Sequence, residues 1–202
     1  MCDPYIYDDV PVLKNLLGIK DADELERAEA DITYLRLYEV DGAIQLTAFD
    51  FFRLLAIHKH IFGDIYEWAG TIRTIQMVKG ERVLSGDTIR YALPDDIEYK
   101  SVAVLKKLNS TNWKMLGVHE TAETFTKLIA ALWQIHPFRE GNTRTIITFA
   151  TQFAEAHGFR MDKTLLKDSA AYVRDALAKA SDGQYSEYEY LVNIFEDAIR
   201  RG

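Results

Sequence analysis

The sequence predicts a mainly α-helical, single-domain protein with one short β-hairpin. Three observations favour this fold class. Apolar residues recur three and four apart along most of the chain, a single stretch near 71–86 is rich in β-branched residues and bounded by glycines, and no repeat or linker divides the sequence. The chain has 202 residues, 48% of them hydrophobic and 27% charged, enough for one sizeable core. We divide it into an N-terminal arm and helix (1–44), a core with the hairpin at about 71–86 (45–195), and a C-terminal tail (196–202).

Two helices are predicted in the N-terminal part. Asp21 and Glu24 have the spacing of a capping pair, and the first helix should run from there to about Val40. The pair Asp41-Gly42 is expected to end it. Thr47 is the predicted cap of the second helix. The buried face of that helix should comprise Phe51, Leu54, Leu55, His58 and Phe62.

The hairpin is predicted where the apolar period changes. Residues Thr71 to Val78 form the first candidate strand, Arg82 to Ser85 the second, and Lys79-Gly80 the turn between them. Two strands alone are marginally stable in water. The hairpin should therefore lie against the helices.

Three further helices are predicted on either side of the central segment. Pro94 suits the first turn of one helix, which should end at Asn109-Ser110. Asp162 is expected to start another, and Ser186 with Glu189 has the spacing of a capping box for the last. The inward faces of the last two should be Leu165, Leu166, Tyr172, Val173 and Leu177, then Leu191, Val192, Phe195 and Ile199.

A dense polar segment, residues 135–145, stands between two apolar helices. The helix before it carries Phe125, Leu128, Ile129, Leu132 and Trp133 at helical spacing, and the helix after it carries Ile146, Phe149, Ala150 and Phe153. Pro137 cannot extend the first helix and biases His136 toward an extended backbone. The second helix should stop at His157-Gly158. So much polarity between two core helices is hard to explain by packing alone.

These polar residues indicate a phosphate site. The start of a buried helix offers unpaired N–H groups and the positive end of the helix dipole to an anion. Gly141 lets the backbone approach a ligand closely, and Arg144 can reach the same anion. Glu140 would repel a bare phosphate but suits one bridged by Mg²⁺. His136, near neutral pKa by type, could accept a proton from a hydroxyl.

The segment His136-Pro-Phe-Arg-Glu140-Gly141-Asn142-Thr-Arg144 resembles the signature of the Fic (Fido) family, His-x-Phe-x-Asp/Glu-Gly-Asn-Gly-Arg-x-x-Arg. Residues 61–73, Ile-Phe-Gly-Asp-Ile-Tyr-Glu-Trp-Ala-Gly-Thr-Ile-Arg, are similar to the passage that leads into that family's flap. The resemblance covers roughly residues 45–195. It implies a Fic-like helical bundle whose hairpin is a flap over the active site.

The resemblance also implies an activity, the transfer of AMP from MgATP to a Tyr, Ser or Thr hydroxyl of a target protein. His136 would be the catalytic base, Glu140 the Mg²⁺ ligand and Phe138 a structural anchor. The residues implied to bind ATP are Arg139, Gly141, Asn142, Thr143 and Arg144. The residues implied to dock the target by strand addition are Gln76, Met77, Val78 and Lys79.

Two positions depart from the signature, and they leave alternatives open. Thr143 replaces the second glycine, and Ile147 replaces the final arginine, which holds the γ-phosphate in the family. Loss of that charged hydrogen bond is worth roughly 1.5–3 kcal/mol, and Arg139, Lys79 or Arg82 could substitute. A kinase-like phosphotransferase resembling Doc, or a nucleotide-binding module of low activity, would fit the same fold.

Regulation and setting are predicted only in outline. The family's inhibitory motif, Ser/Thr-x-x-x-Glu-Gly/Asn, is absent, so either a small antitoxin partner controls a toxin-like protein or that control is missing. Histidines 58, 60, 119 and 157 are interpreted as structural. The net charge of −7 argues against nucleic-acid binding by bulk charge. A single cysteine, Cys2, and the absence of a signal peptide or membrane-length apolar run favour the cytoplasm.

Overall fold

A computed structural model of the chain describes residues 3–78, 80–85 and 87–200. Within these residues the chain forms eight α-helices and one two-stranded sheet, which confirms the mainly helical class. The helices are α1 (Ala22–Ala43), α2 (Phe51–Phe62), α3 (Ile97–Ser110), α4 (Val118–Ile135), α5 (Asn142–Ala156), α6 (Lys163–Asp168), α7 (Ala170–Lys179) and α8 (Glu189–Ala198). The strands are β1 (Arg160–Met161) and β2 (Ile199–Arg200).

Helix α4 lies at the centre of the bundle and contacts α3, α5, α7 and α8. Helix α2 packs between α1 and α5. The predicted apolar stripes meet in this core, where an aromatic group closes the space between α4, α5 and α8. Its members are Trp113, Phe125, Phe153, Phe159 and Phe195. The core therefore holds α4 and α5 against each other.

The first helix ends later than predicted, and the second begins with a different cap. Asp21 caps α1 as expected, because its side chain accepts from the Glu24 N–H at 2.9 Å. Helix α1 does not stop at Asp41 but continues to Ala43, since Asp41 is held from outside by Gln152 and Lys163. Asp50, not Thr47, caps α2 by accepting from the Arg53 N–H at 3.1 Å.

The predicted hairpin strands are wrong in the part of 71–86 that the structure describes. Residues 71–78 contain bends and no strand, and Arg82–Leu84 form a 3-10 turn. A single antiparallel bridge, Gly80 to Thr88, closes the loop. A fully buried arginine, Arg73, holds the segment instead, because its guanidinium donates to the Ile75 carbonyl within it and to the Ala92 carbonyl beyond the loop.

The C-terminal segment also differs from its prediction. Asp162 caps α6 as expected, but the segment breaks at Ser169 into two helices and Tyr172 on α7 is exposed. Helix α8 begins at Glu189 after Tyr188, without the predicted Ser186 capping box. Ile199 lies beyond α8, in β2, opposite Met161. The predicted boundary at residue 195 thus falls inside α8.

Among the described residues, none of the helices has the length and apolar character to cross a membrane.

Candidate active site

His136 ends helix α4 in a left-handed conformation, with φ 55° and ψ 64°. The extended backbone predicted from Pro137 is therefore wrong. The left-handed residue lets the His136 N–H donate to the Trp133 carbonyl at 3.0 Å and so finishes the helix. Non-glycine residues rarely adopt this conformation, and it concentrates at functional sites.

The His136 ring lies between two aromatic side chains. It stacks on Tyr91 with 4.1 Å between ring centroids and meets the edge of Trp133 at 5.4 Å. The Arg73 Nε donates to the His136 carbonyl at 2.8 Å. The His136 backbone is therefore held by a hydrogen bond and its ring by packing, and only 4% of the residue is exposed.

The turn after His136 is built around two hydrogen bonds from one side chain. The Asn142 carboxamide accepts from the Phe138 N–H at 2.9 Å and donates to the Phe138 carbonyl at 2.8 Å. Phe138 is fully buried and stacks on His58, with ring centroids 3.8 Å apart. The Asn142 side chain thus shapes the turn. The main-chain N–H of Asn142 lies at the start of α5.

His58 on α2 supports the turn from below. Its Nδ1 accepts from the Gly70 N–H at 2.8 Å, so its Nε2 carries the proton and donates to the Glu140 carbonyl, 3.0 Å away. Burial, together with the nearby positive charges of Arg144 and Lys59, lowers the pKa of His58 to about 4. His58 is therefore a neutral structural residue, as predicted. Its tie to the polar segment was not predicted.

Gly141 is required by shape as well as by backbone conformation. Its φ is 79°, and a Cβ placed there would lie 2.2 Å from the Phe62 ring. Phe62 is fully buried and cannot move aside without disturbing the core. The glycine therefore brings the α5 start directly against α2, which is a different reason from the close ligand approach predicted from sequence.

A cavity of about 190 Å³ opens at this point. It is lined by Trp133, His136, Glu140, Gly141, Asn142, Thr143, Arg144 and Arg174. The first intrahelical bond of α5 joins the Thr145 N–H to the Gly141 carbonyl, so the N–H groups of the preceding first turn have no acceptor within the helix. An imidazole, a carboxylate and a helix N-terminus therefore share one cavity. A larger cavity, about 420 Å³, lies at the other end of α5 and contains none of these residues.

Two of the predicted ATP-binding side chains at the cavity have partners in other helices. The Thr143 hydroxyl accepts from the Trp133 indole N–H at 2.9 Å. Arg144 reaches out to α1, where Nη1 donates to the Thr33 hydroxyl at 2.9 Å and Nη2 forms an ion pair with Glu29. The Tyr66 hydroxyl also donates to Glu29. Both terminal nitrogens of Arg144 are thus engaged by α1.

Arg174 brings a positive charge to the cavity from α7. Its Nη1 lies 2.6 Å from Glu81 Oε2 and 3.6 Å from Asp175 Oδ1. The Glu81 carboxylate is 1% exposed and also accepts from the Tyr91 hydroxyl at 3.1 Å. Burial and the Glu81 charge raise the pKa of Tyr91, so it remains a neutral donor. Arg174, Glu81 and Tyr91 form a chain of contacts that ends on the His136 ring.

Not every predicted site residue reaches the cavity. Arg139 points to the N-terminal arm, where it binds Asp3 through Nε at 3.1 Å and Nη2 at 2.8 Å. Arg82 pairs with Asp175 and is largely exposed. In the proposed docking edge, Met77 is buried, Gln76 and Val78 are exposed, and Lys79 lies outside the described residues.

Sequence reasoning missed Glu29, Thr33, Glu81, Tyr91 and Arg174. They lie on α1, on α7 and between residues 80 and 92, far along the chain from the polar segment. None belongs to a motif, and only the helical period could have placed Glu29 and Thr33 on one face of α1. No sequence signal indicates that Arg174 faces the cavity.

Comparison with known proteins gives one family. The model of the Fic/DOC family matches residues 48–154. The chain is 35% identical over 161 residues to the protein adenylyltransferase VbhT of Bartonella schoenbuchensis, a match that covers 79% of this chain but 32% of VbhT. It is 33% identical over 171 residues to the probable protein adenylyltransferase y4lH of Sinorhizobium fredii, covering 82% of each.

Solved structures agree in fold. BepC protein from Bartonella tribocorum with bound AMPPNP superposes with a TM-score of 0.82 at 25% identity, covering 98% of this chain and 97% of that one. The N-terminal Fic domain of a cell filamentation protein from Bartonella quintana with bound ADP gives a TM-score of 0.81 at 26% identity, covering 98% and 94%. Both of these similar structures contain an adenine nucleotide.

Proposed function

This chain belongs to the Fic/DOC family, and on that premise we propose that it is an adenylyltransferase that moves AMP from ATP to a Tyr, Ser or Thr hydroxyl of a target protein. The observation that carries the proposal is the shared cavity, in which His136 stands beside the N-terminus of α5. The names of the relatives and the nucleotides in the similar structures support it.

The chemistry divides between a base and a phosphate cradle. His136 takes the proton of the target hydroxyl as its oxygen attacks the α-phosphorus, the bond to the bridging oxygen breaks, and pyrophosphate leaves. Charge that develops on the phosphate oxygens faces the N–H groups and the dipole of α5. The left-handed turn and the Tyr91 stack keep the imidazole in place before the substrate binds. Positioning and electrostatics supply most of the acceleration, as in phosphoryl transfer generally.

The cavity is suited to the phosphates rather than to the whole nucleotide. Its volume of about 190 Å³ is below the roughly 300–1,000 Å³ of most small-molecule sites. The adenine would therefore lie outside it.

Glu140 suits a magnesium ion bound together with the phosphates. Its carboxylate lines the cavity, and Oε1 accepts from the Gly141 N–H at 3.0 Å. Mg²⁺ commonly takes one or two carboxylates, with phosphates and waters as its other ligands. A single carboxylate therefore fits, although the described residues contain no cluster of three metal-binding side chains. The ion would neutralise phosphate charge when bound.

The decisive experiment is labelling of cell lysate with α-labelled ATP. His136→Ala should lower incorporation about 10²–10⁴-fold, the usual effect of losing a general base. His119→Ala is the matched control, because His119 is exposed and pairs with Glu196 on the surface. Full labelling by the His136 variant would contradict the base. Label transferred from γ-labelled ATP instead would favour the Doc-like phosphotransferase, and tight ATP binding without any product would favour a binding module.

A toxin-like role with a small antitoxin partner in the cytoplasm is a finer proposal, supported by the family resemblance alone. Induced expression in a bacterial host should slow growth for the native protein and not for His136→Ala. Equal growth of the two strains would remove the toxin role and leave the enzymatic proposal standing.

A further inference from the structure

We infer that Arg174 binds the leaving phosphates of the nucleotide, in place of the signature arginine that Ile147 replaces. The inference rests on the proposed function and assigns a residue outside the polar segment. Ile147 is half-buried and packs on the core, so position 147 brings no charge to the cavity. Among the described residues that line the cavity, positive charge comes from Arg144 and Arg174.

The two arginines differ in what already occupies them. Arg144 has both terminal nitrogens bound on α1, by Glu29 and Thr33. The ion pairs of Arg174 with Glu81 and Asp175 both run through Nη1, and 39% of its side chain is exposed, so a guanidinium with five N–H donors keeps donors for a further acceptor. Arg174 also lines the cavity from α7, a different wall from α5. A phosphate chain that begins at the α5 N-terminus beside His136 would pass toward it.

Two of the three cations considered from sequence fit less well. Arg139 is bound to Asp3 and does not line the cavity. Arg82 is exposed and bound to Asp175. Lys79 lies outside the described residues. Arg174 is the candidate that the geometry supports.

Glu81 is a competitor of phosphate for Arg174. The carboxylate is buried and holds Arg174 at 2.6 Å, so it competes with phosphate for the same guanidinium. If Arg174 only fastened the 80–88 loop to α7, removing either partner would have the same effect on nucleotide binding. If Arg174 binds phosphate, removing Arg174 and neutralising Glu81 should have opposite effects.

The test is calorimetric titration of the full chain with AMPPNP and, separately, with AMP. Arg174→Ala should weaken AMPPNP binding about 10- to 100-fold, the range for a lost charge-assisted bond, and leave AMP binding unchanged. Arg174→Lys should recover part of the loss. Glu81→Gln should bind AMPPNP as well as the native chain or better. Arg82→Ala, which breaks the neighbouring ion pair, should bind normally.

The double variant Glu81→Gln/Arg174→Ala guards against misfolding, since it leaves no unpaired buried carboxylate, and it should lose AMPPNP affinity like Arg174→Ala. Unchanged AMPPNP binding by Arg174→Ala would overturn the inference while the proposed function stands. Equal losses in Arg174→Ala and Glu81→Gln would overturn it in favour of a purely structural tie. A native chain that binds neither nucleotide would overturn both.

Discussion

Two groups of residues in and around the cavity differ in how the chain encodes them. One group, the signature wall, consists of the consecutive residues 136–144. The other, the outer group, consists of Glu29 and Thr33 on α1, Glu81 in the loop, and Arg174 on α7. The signature wall supplies the imidazole, the carboxylate and the helix N-terminus. In the outer group, Glu29 and Thr33 bind Arg144, and Glu81 binds Arg174. These contacts form only when the helices pack together.

The residues proposed to carry out the reaction are therefore encoded separately from the residues that set the charge partners of the two arginines. The signature wall is a local turn whose shape follows from a few positions, such as the left-handed His136 and Gly141. The outer group is a set of long-range contacts that can change without altering the turn. Variants in the two groups should therefore differ: those that alter the turn should cost the most stability, and those in the outer group should change nucleotide affinity.

The largest stability effect is expected from Gly141→Ala in the signature wall. The new Cβ would lie 2.2 Å from the Phe62 ring at a φ of 79°. Backbone strain and overpacking together should cost about 3 kcal/mol or more. Urea unfolding measures this loss. Gly158→Ala is the matched control, because its φ is 87° and, among the described residues, no atom would lie within 4 Å of the added Cβ.

The strain at Gly158 alone should cost about 1–2 kcal/mol. Equal losses in the two variants would show that the contact with Phe62 adds nothing, and the signature wall would then depend on backbone conformation alone.

The next effect is a pH dependence of stability that comes from His58, which binds the signature wall at the Glu140 carbonyl. The pKa of His58 is lowered to about 4 from an unfolded value of 6.5. Below the unfolded pKa the unfolded chain takes up a proton that the folded chain excludes. The stability that His58 contributes is therefore complete above pH 6.5 and is lost as the pH falls toward 4, up to about 3 kcal/mol.

The measurement compares the native chain with His58→Gln between pH 7 and pH 5. Glutamine can donate to the Glu140 carbonyl and accept from the Gly70 N–H, but it does not titrate in this range. The free energy of unfolding should fall more steeply with acid in the native chain. Parallel curves would mean that His58 binds its proton equally well in both states.

The smallest effect concerns the outer group. Glu29 holds Arg144 through a charge, so Glu29→Gln should release part of the guanidinium to phosphate. AMPPNP should then bind about fivefold more tightly, which corresponds to roughly 1 kcal/mol, and the stability should fall by a similar amount. Titration and urea unfolding together test both parts. Weaker AMPPNP binding would mean that Glu29 orients Arg144 for the nucleotide and does not compete with it.

Much of the signature wall could be predicted because its causes are local. Polar residues between two apolar helices, with a proline and a glycine, specify a turn and a helix start within ten or so positions. The helical class followed from the apolar period for the same reason. The Asp21 and Asp162 caps were predicted because a cap acts within three residues.

The rest depended on contacts that no local pattern contains. The conformation of His136 was mispredicted because Pro137 biases its neighbour only weakly, and the helix-ending bond to Trp133 outweighs that bias. The hairpin was mispredicted because β-branched residues indicate an extended backbone without saying what will pair with it. Here Arg73 fills that role from within the segment. The outer group could not be found without the packing of α1 and α7.

The Arg73 side chain links the 80–88 loop to His136. One guanidinium donates to the carbonyls of Ile75, Ala92, Ile135 and His136, with distances from 2.6 to 3.4 Å. It therefore joins the segment before the 80–88 loop and the segment after it to the backbone of His136. The position of the 80–88 loop and that of His136 therefore depend on the same planar donor.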